Sequence, residues 1–276
     1  MNKYLYTLLI AQFLSAFADN TVLFTVIAEV LQSAQPDWYV PALQGVYLAA
    51  FLVLAPRVGG SADKHPKSSV LIIANLLKAG GACLLLLHVE PLIAYCVVGV
   101  GAAVYSPAKY GILPELAGHH ALIKANSWIE GSTILAILTG MVVGAKVADY
   151  SVNWALSGSI ALFLISAATT LFLPKAAGKI QPGGWKVWLF YQQIRSFLAY
   201  PRSQFAVSGG SLFWATAACV RVIIIAWAPL VLMTHNADDI AELTLFLALG
   251  IIAGAALVPR LIPLDQIYRT YFPAFS

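Results

Sequence analysis

Long apolar runs alternate with short polar connections along almost the whole chain. Most runs are close to the roughly 20 residues that an α-helix needs to cross a bilayer. Glycine and proline occur inside several runs, as membrane helices tolerate. The pattern predicts eight membrane-spanning helices, at Tyr4–Leu31, Val40–Gly60, Ser69–His88, Pro91–Leu116, Ala125–Ala148, Trp154–Leu173, Gln204–Met233 and Ala241–Ile262.

The first apolar run shares features with a secretory signal peptide. It has a lysine near its start and the small-residue pattern Ala16–Ala18, which is typical of a cleavage site. However, the run resumes after Asp19 and Asn20 and continues to Leu31, so it is long enough to cross a bilayer obliquely. We therefore predict an uncleaved first helix.

The longest polar connection, Pro174–Arg202, separates six predicted helices from the two that follow. Its part Trp185–Tyr200 is predicted to form a short amphipathic helix on the membrane surface. We therefore predict three regions: a six-helix half at residues 1–174, a cytoplasmic linker at 175–202, and the start of a second half at 203–276.

The composition is that of an integral membrane protein. Apolar residues make up 60% of the chain and charged residues 10%, with a mean hydropathy of +0.81, whereas a soluble domain carries about 25% charged residues. The net charge of +4 comes from basic residues spread thinly through the connections, so nucleic-acid binding is not expected. The 3 cysteines lie in apolar runs without metal-ligand spacing, and we predict no metal or cofactor.

The distribution of basic residues predicts the orientation. Lys64, Lys67 and Lys179 belong to connections that carry Lys and Arg, whereas the connections around Trp38 and Asp238 carry neither. By the positive-inside rule the first group is cytoplasmic and the second lies outside, which places the N-terminus in the cytoplasm.

The connection between the second and third predicted helices carries a motif. It reads GGSADKHPK and contains Gly59, Asp63, Lys64 and Lys67, with Pro66 where a second glycine is usual. A glycine, an acid four residues later and then basic residues resemble the signature loop of the major facilitator superfamily.

Three further stretches resemble one branch of that superfamily, the bacterial lysophospholipid transporters. They are residues 11–24, AQFLSAFADNTVLF, residues 99–116, GVGAAVYSPAKYGILPEL, and residues 211–229, SLFWATAACVRVIIIAWAP. The resemblance implies an all-α bundle of the major facilitator type in the bacterial inner membrane. It also implies that lysophosphatidylethanolamine and lysophosphatidylglycerol are flipped to the inner leaflet, where an acyltransferase re-acylates them. Because the superfamily is built from two six-helix halves, we expect an incomplete transporter with the first half and about two helices of the second.

Charged residues inside the predicted membrane helices are candidates for a transport site, because they are costly in hydrocarbon. Gln12, Ser15 and Asp19 share one face of the first helix, and Arg221 shares a face of the seventh with Trp214. The resemblance places both helices around a central cavity. We predict that Asp19 holds Arg221 in the empty site and that both contact the lipid head group. A pair that only joins the two halves is the alternative.

A second polar group is predicted about 10 Å nearer the cytoplasm. Tyr105 and Lys109 are four residues apart on the fourth helix, and Asn126, Glu130 and Thr133 mark a polar face of the fifth. We predict that Lys109 pairs with Glu130, either in the transport pathway or as a structural gate.

Two further features concern helix packing. Lys78 is predicted to lie near mid-membrane, but the third helix is often peripheral in this fold, so its role stays open. Gly140 and Gly144, and likewise Gly250 and Gly254, are small-xxx-small pairs that permit close helix approach.

The motifs of membrane enzymes are missing from the sequence. No histidine is followed by aspartate five positions later, as expected of a membrane acyltransferase, and neither H-E-x-x-H nor G-x-S-x-G occurs. We therefore predict a transporter rather than an enzyme. An ion-coupled facilitator that exports a drug-like solute or metabolite is the alternative, since it would also use one buried acid and one buried arginine.

Overall fold

The computed structural model describes residues 3–33, 35–36, 38–175, 187–233 and 237–261. This part of the chain is almost entirely helical and contains no strand. The helices are α1 (Lys3–Gln32), α2 (Tyr39–Lys64), α3 (Lys67–Leu86), α4 (Pro91–Tyr150), α5 (Val152–Thr170), α6 (Val187–Leu198), α7 (Pro201–Leu232) and α8 (Ala237–Leu261).

Helix α4 holds two spans in one helical segment of 60 residues. Its backbone is broken at Gly118, where φ is 69° and ψ is 166°, a conformation that glycine adopts without strain. We call Pro91–Gly118 the first arm of α4 and Lys124–Tyr150 its second arm. The predicted fourth and fifth helices are therefore confirmed, but the predicted connection between them is helical except at one glycine.

Seven segments in the described residues are long and apolar enough to cross a membrane. The chain is thus a multi-pass membrane protein, as its composition predicts. The eighth predicted span corresponds to helix α8, which has 25 residues. The seven segments are α1, α2 from Tyr39 to Val58, α3, the two arms of α4, α5, and α7 from Ser203 to Leu232.

The predicted signature loop is mostly helical. Helix α2 continues to Lys64, and the chain turns only at His65 and Pro66 before α3 begins. The turn comes at the proline rather than at the glycines, because the residue before a proline disfavours the helical conformation, and His65 has an extended backbone with φ −107° and ψ 156°. The side chain of Asp63 lies outside the described residues, whereas Lys64 is exposed.

The predicted amphipathic segment of the linker is confirmed as a helix, α6. Its aromatic residues Trp188, Tyr191 and Phe197 are exposed. Residues 176–186, including Lys179, lie outside the described part of the chain. The division at residues 174 and 202 therefore stays a prediction.

Helix α1 lies at the centre of the bundle and packs against α4 and α5. Its buried apolar residues between Ala18 and Val30 belong to one cluster, and Leu5 and Leu8 belong to another. Gln12 and Ser15, both buried, lie between these clusters. A polar layer therefore crosses the middle of the bundle.

Glycines allow α1 to approach the second arm of α4 closely. A Cβ added at Gly140 would lie 2.5 Å from the carbonyl oxygen of Phe17, and one at Gly144 would lie 2.6 Å from the Cα atom of Thr21. The predicted packing role of this pair is confirmed. The same prediction is wrong for Gly250 and Gly254 within the described structure, where an added Cβ meets nothing within 4 Å.

We expect Gly140→Ala to lower the midpoint of thermal unfolding in detergent. The new methyl group would force α1 and α4 apart, and overpacking of this kind costs about 1–3 kcal/mol. Gly158→Ala is the matched control, because a Cβ there meets nothing within 4 Å and alanine favours a helix by about 1 kcal/mol. Equal midpoints for the two variants would contradict the close contact.

Candidate functional site

A polar cavity of about 240 Å³ lies within the bundle. Helices α1, α2, α3 and α7 and both arms of α4 contribute to its wall. Four charged side chains line it, and three of them are cationic. The sequence-predicted site residues found in the wall are Gln12, Asp19, Tyr105, Lys109 and Arg221.

Lys78 is the buried partner of Asp19. Its Nζ atom lies 2.6 Å from Asp19 Oδ2 and donates a hydrogen bond of 3.0 Å to Ser15 Oγ. The same ammonium lies 4.5 Å from the ring centroid of Tyr105, close enough for a cation–π contact. Only 1% of Lys78 is exposed, so α3 is not peripheral at this level. The role that the sequence leaves open is therefore that of a counter-ion.

A chain of hydrogen bonds positions Lys78 and ties three helices together. Ser15 Oγ donates to Asn75 Oδ1 over 2.7 Å, and Asn75 Nδ2 donates to Ser166 Oγ over 2.9 Å. Ser166 Oγ in turn donates to the carbonyl oxygen of Ala11 over 2.7 Å. Because all three side chains are fully buried, the network fixes α1, α3 and α5 relative to one another. Ser166 was not identified from the sequence, where it is one serine in an apolar run.

Arg221 does not pair with Asp19 as predicted. Its Nη2 atom donates to Asn20 Oδ1 over 3.1 Å. Successive side chains of an α-helix point about 100° apart, so Asp19 meets α3 while Asn20 meets α7. The neighbour of Asp19 on α1 is thus the true contact of Arg221.

Four buried polar atoms in the cavity wall have no hydrogen-bond partner among the described residues. They are the donors Arg221 Nε and Gln44 Nε2, the acceptor Asp19 Oδ1, and the hydroxyl of Tyr105, which can do either. A buried polar atom without a partner is costly. These atoms are therefore available to a ligand with both accepting and donating groups.

The predicted pair of Lys109 and Glu130 is not formed in the described structure. The hydroxyl of Tyr110 donates to Glu130 Oε1 over 2.6 Å, and Lys109 Nζ lies 4.3 Å from the centroid of the Tyr110 ring. Tyr110 therefore contacts both residues of the predicted pair. It was missed because a tyrosine at a helix surface carries no distinctive signal.

The polar face predicted on the fifth helix reaches the cavity only in part. Gln12 Nε2 donates to Thr133 Oγ1 over 2.8 Å, and both residues line the cavity. Asn126 is exposed and lies outside the cavity wall. The reason is its place in the first turn of the second arm, about two helical turns before Thr133, which lines the cavity.

An apolar cavity of about 210 Å³ adjoins the polar one. The two cavities share Gln44, Tyr47, Ile137 and Arg221 in their walls. Trp214 lines the apolar cavity, as expected of an apolar wall next to Arg221. Arg221 therefore stands at the boundary between a charged chamber and an apolar one.

Metal-binding clusters are not found in the described residues, where no group of three or more His, Cys, Asp or Glu side chains comes together. What the arrangement offers is charge and hydrogen-bonding capacity in a cavity between helices.

Comparison with known proteins identifies the class. Residues 8–273 match the family profile described as Major Facilitator Superfamily. The chain is 38% identical over 265 residues to a protein of Photorhabdus laumondii subsp. laumondii named lysophospholipid transporter LplT, covering 95% of this chain and 67% of that protein. It is 37% identical over 274 residues to the protein of the same name from Yersinia enterocolitica, covering 98% of this chain and 68% of that protein.

The chain therefore belongs to the major facilitator superfamily, within the branch of the proteins named lysophospholipid transporter LplT. It spans about two thirds of the length of these relatives.

Proposed function

We propose that this protein carries lysophospholipids across the bacterial inner membrane, from the outer to the inner leaflet. The observation that carries the proposal is the position of Arg221 between a charged cavity and an apolar cavity. A lysophospholipid has the same two-part chemistry, since a charged phosphate head is joined to one acyl tail.

Arg221 suits the phosphate. A guanidinium donates two parallel hydrogen bonds to a phosphate, which an ammonium does not. Its Nε atom has no partner in the described part of the chain, and neither does Gln44 Nε2, a donor in the same cavity wall. Asp19 Oδ1, for which the described residues likewise supply no partner, accepts a hydrogen bond from the ammonium or hydroxyl group at the far end of the head group.

The tail is assigned to the apolar cavity. Trp214, Met141 and Leu247 line it, and they belong to α7, the second arm of α4 and α8. These residues give an acyl chain an apolar surface next to the point where the head group binds. The names of the relatives, which are lysophospholipid transporters, support the same substrate class for this chain.

We assign the protein the role of a transporter rather than that of an enzyme. Delivery to the inner leaflet presents the lysophospholipid to a cytoplasmic acyltransferase, and the transporter itself needs no cofactor for this step. An ion-coupled exporter is the competing function, and an assay of lysophospholipid uptake separates the two.

The test is uptake of labelled lysophosphatidylethanolamine and lysophosphatidylglycerol by spheroplasts that lack their own lysophospholipid transporter. The protein is expressed from its native gene, and we expect lipid to become accessible to acylation only in its presence. Export of a soluble cation without uptake of either lipid would replace this function by the generic facilitator.

The orientation in the membrane is part of the proposal. Lys67 pairs with Glu115 near one end of the bundle, and the Tyr39 hydroxyl donates to Glu90 near the other. The first end carries the basic connections, so we place it, together with the N-terminus, in the cytoplasm.

We expect cysteines introduced at Trp38 and Asp238 to react with an impermeant thiol reagent in intact spheroplasts. A cysteine at Lys179 should react only after the membrane is permeabilised. The background lacks Cys83, Cys96 and Cys219, so that no native thiol contributes. Labelling at Lys179 in intact spheroplasts would reverse the assigned orientation.

A further inference from the structure

The charges of the polar cavity do not balance. Among the described residues, its wall contains the cations Lys78, Lys109 and Arg221 and one acidic residue, Asp19. Lys78 contacts Asp19 directly, so the acid is neutralised within the protein. The remaining cations, Lys109 and Arg221, have no compensating acid among the described residues of the wall.

Lys78 is not placed to hold a phosphate itself. Its ammonium is enclosed by Asp19 Oδ2, Ser15 Oγ and the rings of Tyr105 and Phe163, which lie 4.5 and 5.6 Å away. Its side chain is 2% exposed. Any effect of Lys78 on a substrate therefore passes through Asp19.

We propose that Lys78 sets the head-group selectivity of the cavity by masking the charge of Asp19. The proposal rests on the proposed lysophospholipid transport. A head group that carries only the phosphate charge, such as phosphoglycerol, meets an excess of positive charge and is favoured. An ammonium, as in phosphoethanolamine, gains most from an acid of full charge, and Lys78 neutralises the charge of Asp19 at Oδ2 while leaving Oδ1 as a hydrogen-bond acceptor.

The close packing of α3 and α4 supports a fixed position for Lys78. A Cβ added at Gly101 would lie 2.6 Å from Lys78 Cγ, so glycine at this position leaves room for the stem of the lysine. On the opposite side, Ser15 and the buried Asn75 hold α1 and α3 in register. The geometry thus keeps the ammonium against Asp19.

The experiment compares the uptake of labelled lysophosphatidylethanolamine with that of lysophosphatidylglycerol in the same spheroplasts. We expect Lys78→Met to raise the ethanolamine-to-glycerol ratio by about tenfold, the effect of one charge contact in a poorly solvated site. Methionine replaces the lysine stem as far as its Cε atom and lacks the ammonium, so it releases Asp19 to meet the ammonium of the head group.

Two variants distinguish release of Asp19 from a change in net charge. Asp19→Asn combined with Lys78→Met removes both partners. The double variant has the net charge of the wild type and again contains no free acid in the pair, so the ratio should return to within about twofold of wild type. Lys109→Met removes one cation but leaves the pair of Asp19 and Lys78 intact, so it should change the ratio much less than Lys78→Met. Equal ratios for the two single variants would overturn the proposal.

A milder pair of variants serves if Lys78→Met fails to fold. Gly101→Ala pushes against Lys78, whereas Gly81→Ala forces the same two helices apart at Val98 without touching Lys78. We expect only Gly101→Ala to raise the ratio. An unchanged ratio would refute the role of Lys78 while leaving lysophospholipid transport in place, whereas absence of uptake of both lipids by the wild-type protein would refute the proposed function itself.

Discussion

Replacing Arg221 by lysine is expected to reduce lysophospholipid uptake by about 10- to 100-fold although the positive charge is kept. The range corresponds to the loss of one charge-assisted hydrogen bond, about 1.5–3 kcal/mol. Lysine also leaves Asn20 without the donor that now lies 3.1 Å from its Oδ1 atom. The site therefore loses both the paired geometry for phosphate and the contact that orients α7 on α1.

The matched control is Arg195→Lys on α6. Arg195 does not line the polar or the apolar cavity and belongs to an exposed stretch of α6, so uptake should stay within about twofold of wild type. Initial uptake rates are normalised to the amount of protein in the membrane. Equal rates for Arg221→Lys and wild type would show that charge alone is sufficient and that paired hydrogen bonds do not hold the phosphate.

The spans of this protein are predictable because a membrane helix needs only length and apolarity. The seven segments that meet these criteria agree with the predicted runs. Even the break at Gly118 falls close to the predicted end of the fourth helix, since glycine alone tolerates that backbone conformation.

Side-chain partners between helices are harder to predict. If a helix turns about its axis by one residue, about 100°, a different side chain faces the neighbouring helix. Asp19 and Asn20 are adjacent, yet they meet Lys78 and Arg221 respectively. Likewise Tyr110, next to Lys109, is the residue that bonds to Glu130. The sequence shows which polar residues enter the membrane, but the rotation of each helix about its axis depends on the packing of the whole bundle.

The position of Lys78 also depends on how the helices pack, which the sequence does not show directly. Its burial follows from the packing of α3 against α4 and α5. That packing rests on small features such as Gly101, which leaves space for the lysine stem, and Ser166, which closes the hydrogen-bond network. Each residue looks ordinary in a glycine- and serine-containing apolar run, so the site becomes visible only when the helices are assembled.

Asp19→Asn is expected to lower the stability of the protein as well as its transport. The substitution leaves the ammonium of Lys78 in a buried position without its counter-charge, and removing one partner of a buried ion pair costs about 3–5 kcal/mol. We expect a large fall in the midpoint of thermal unfolding in detergent, together with impaired lysophospholipid uptake.

A second substitution separates these effects. Adding Lys78→Met to Asp19→Asn removes the unpaired cation, so most of the lost stability should return, and uptake should recover with it. Lys146→Met is the surface control: Lys146 Nζ lies 3.8 Å from Asp238 Oδ2 and its side chain is 58% exposed, so the midpoint should barely change. If the double variant regains stability but not uptake, the negative charge of Asp19, which asparagine lacks, contributes to substrate binding beyond its pairing with Lys78. If it regains neither, Asp19 and Lys78 are not a self-contained pair, and the cost of losing the acid must come from another buried group that depends on it.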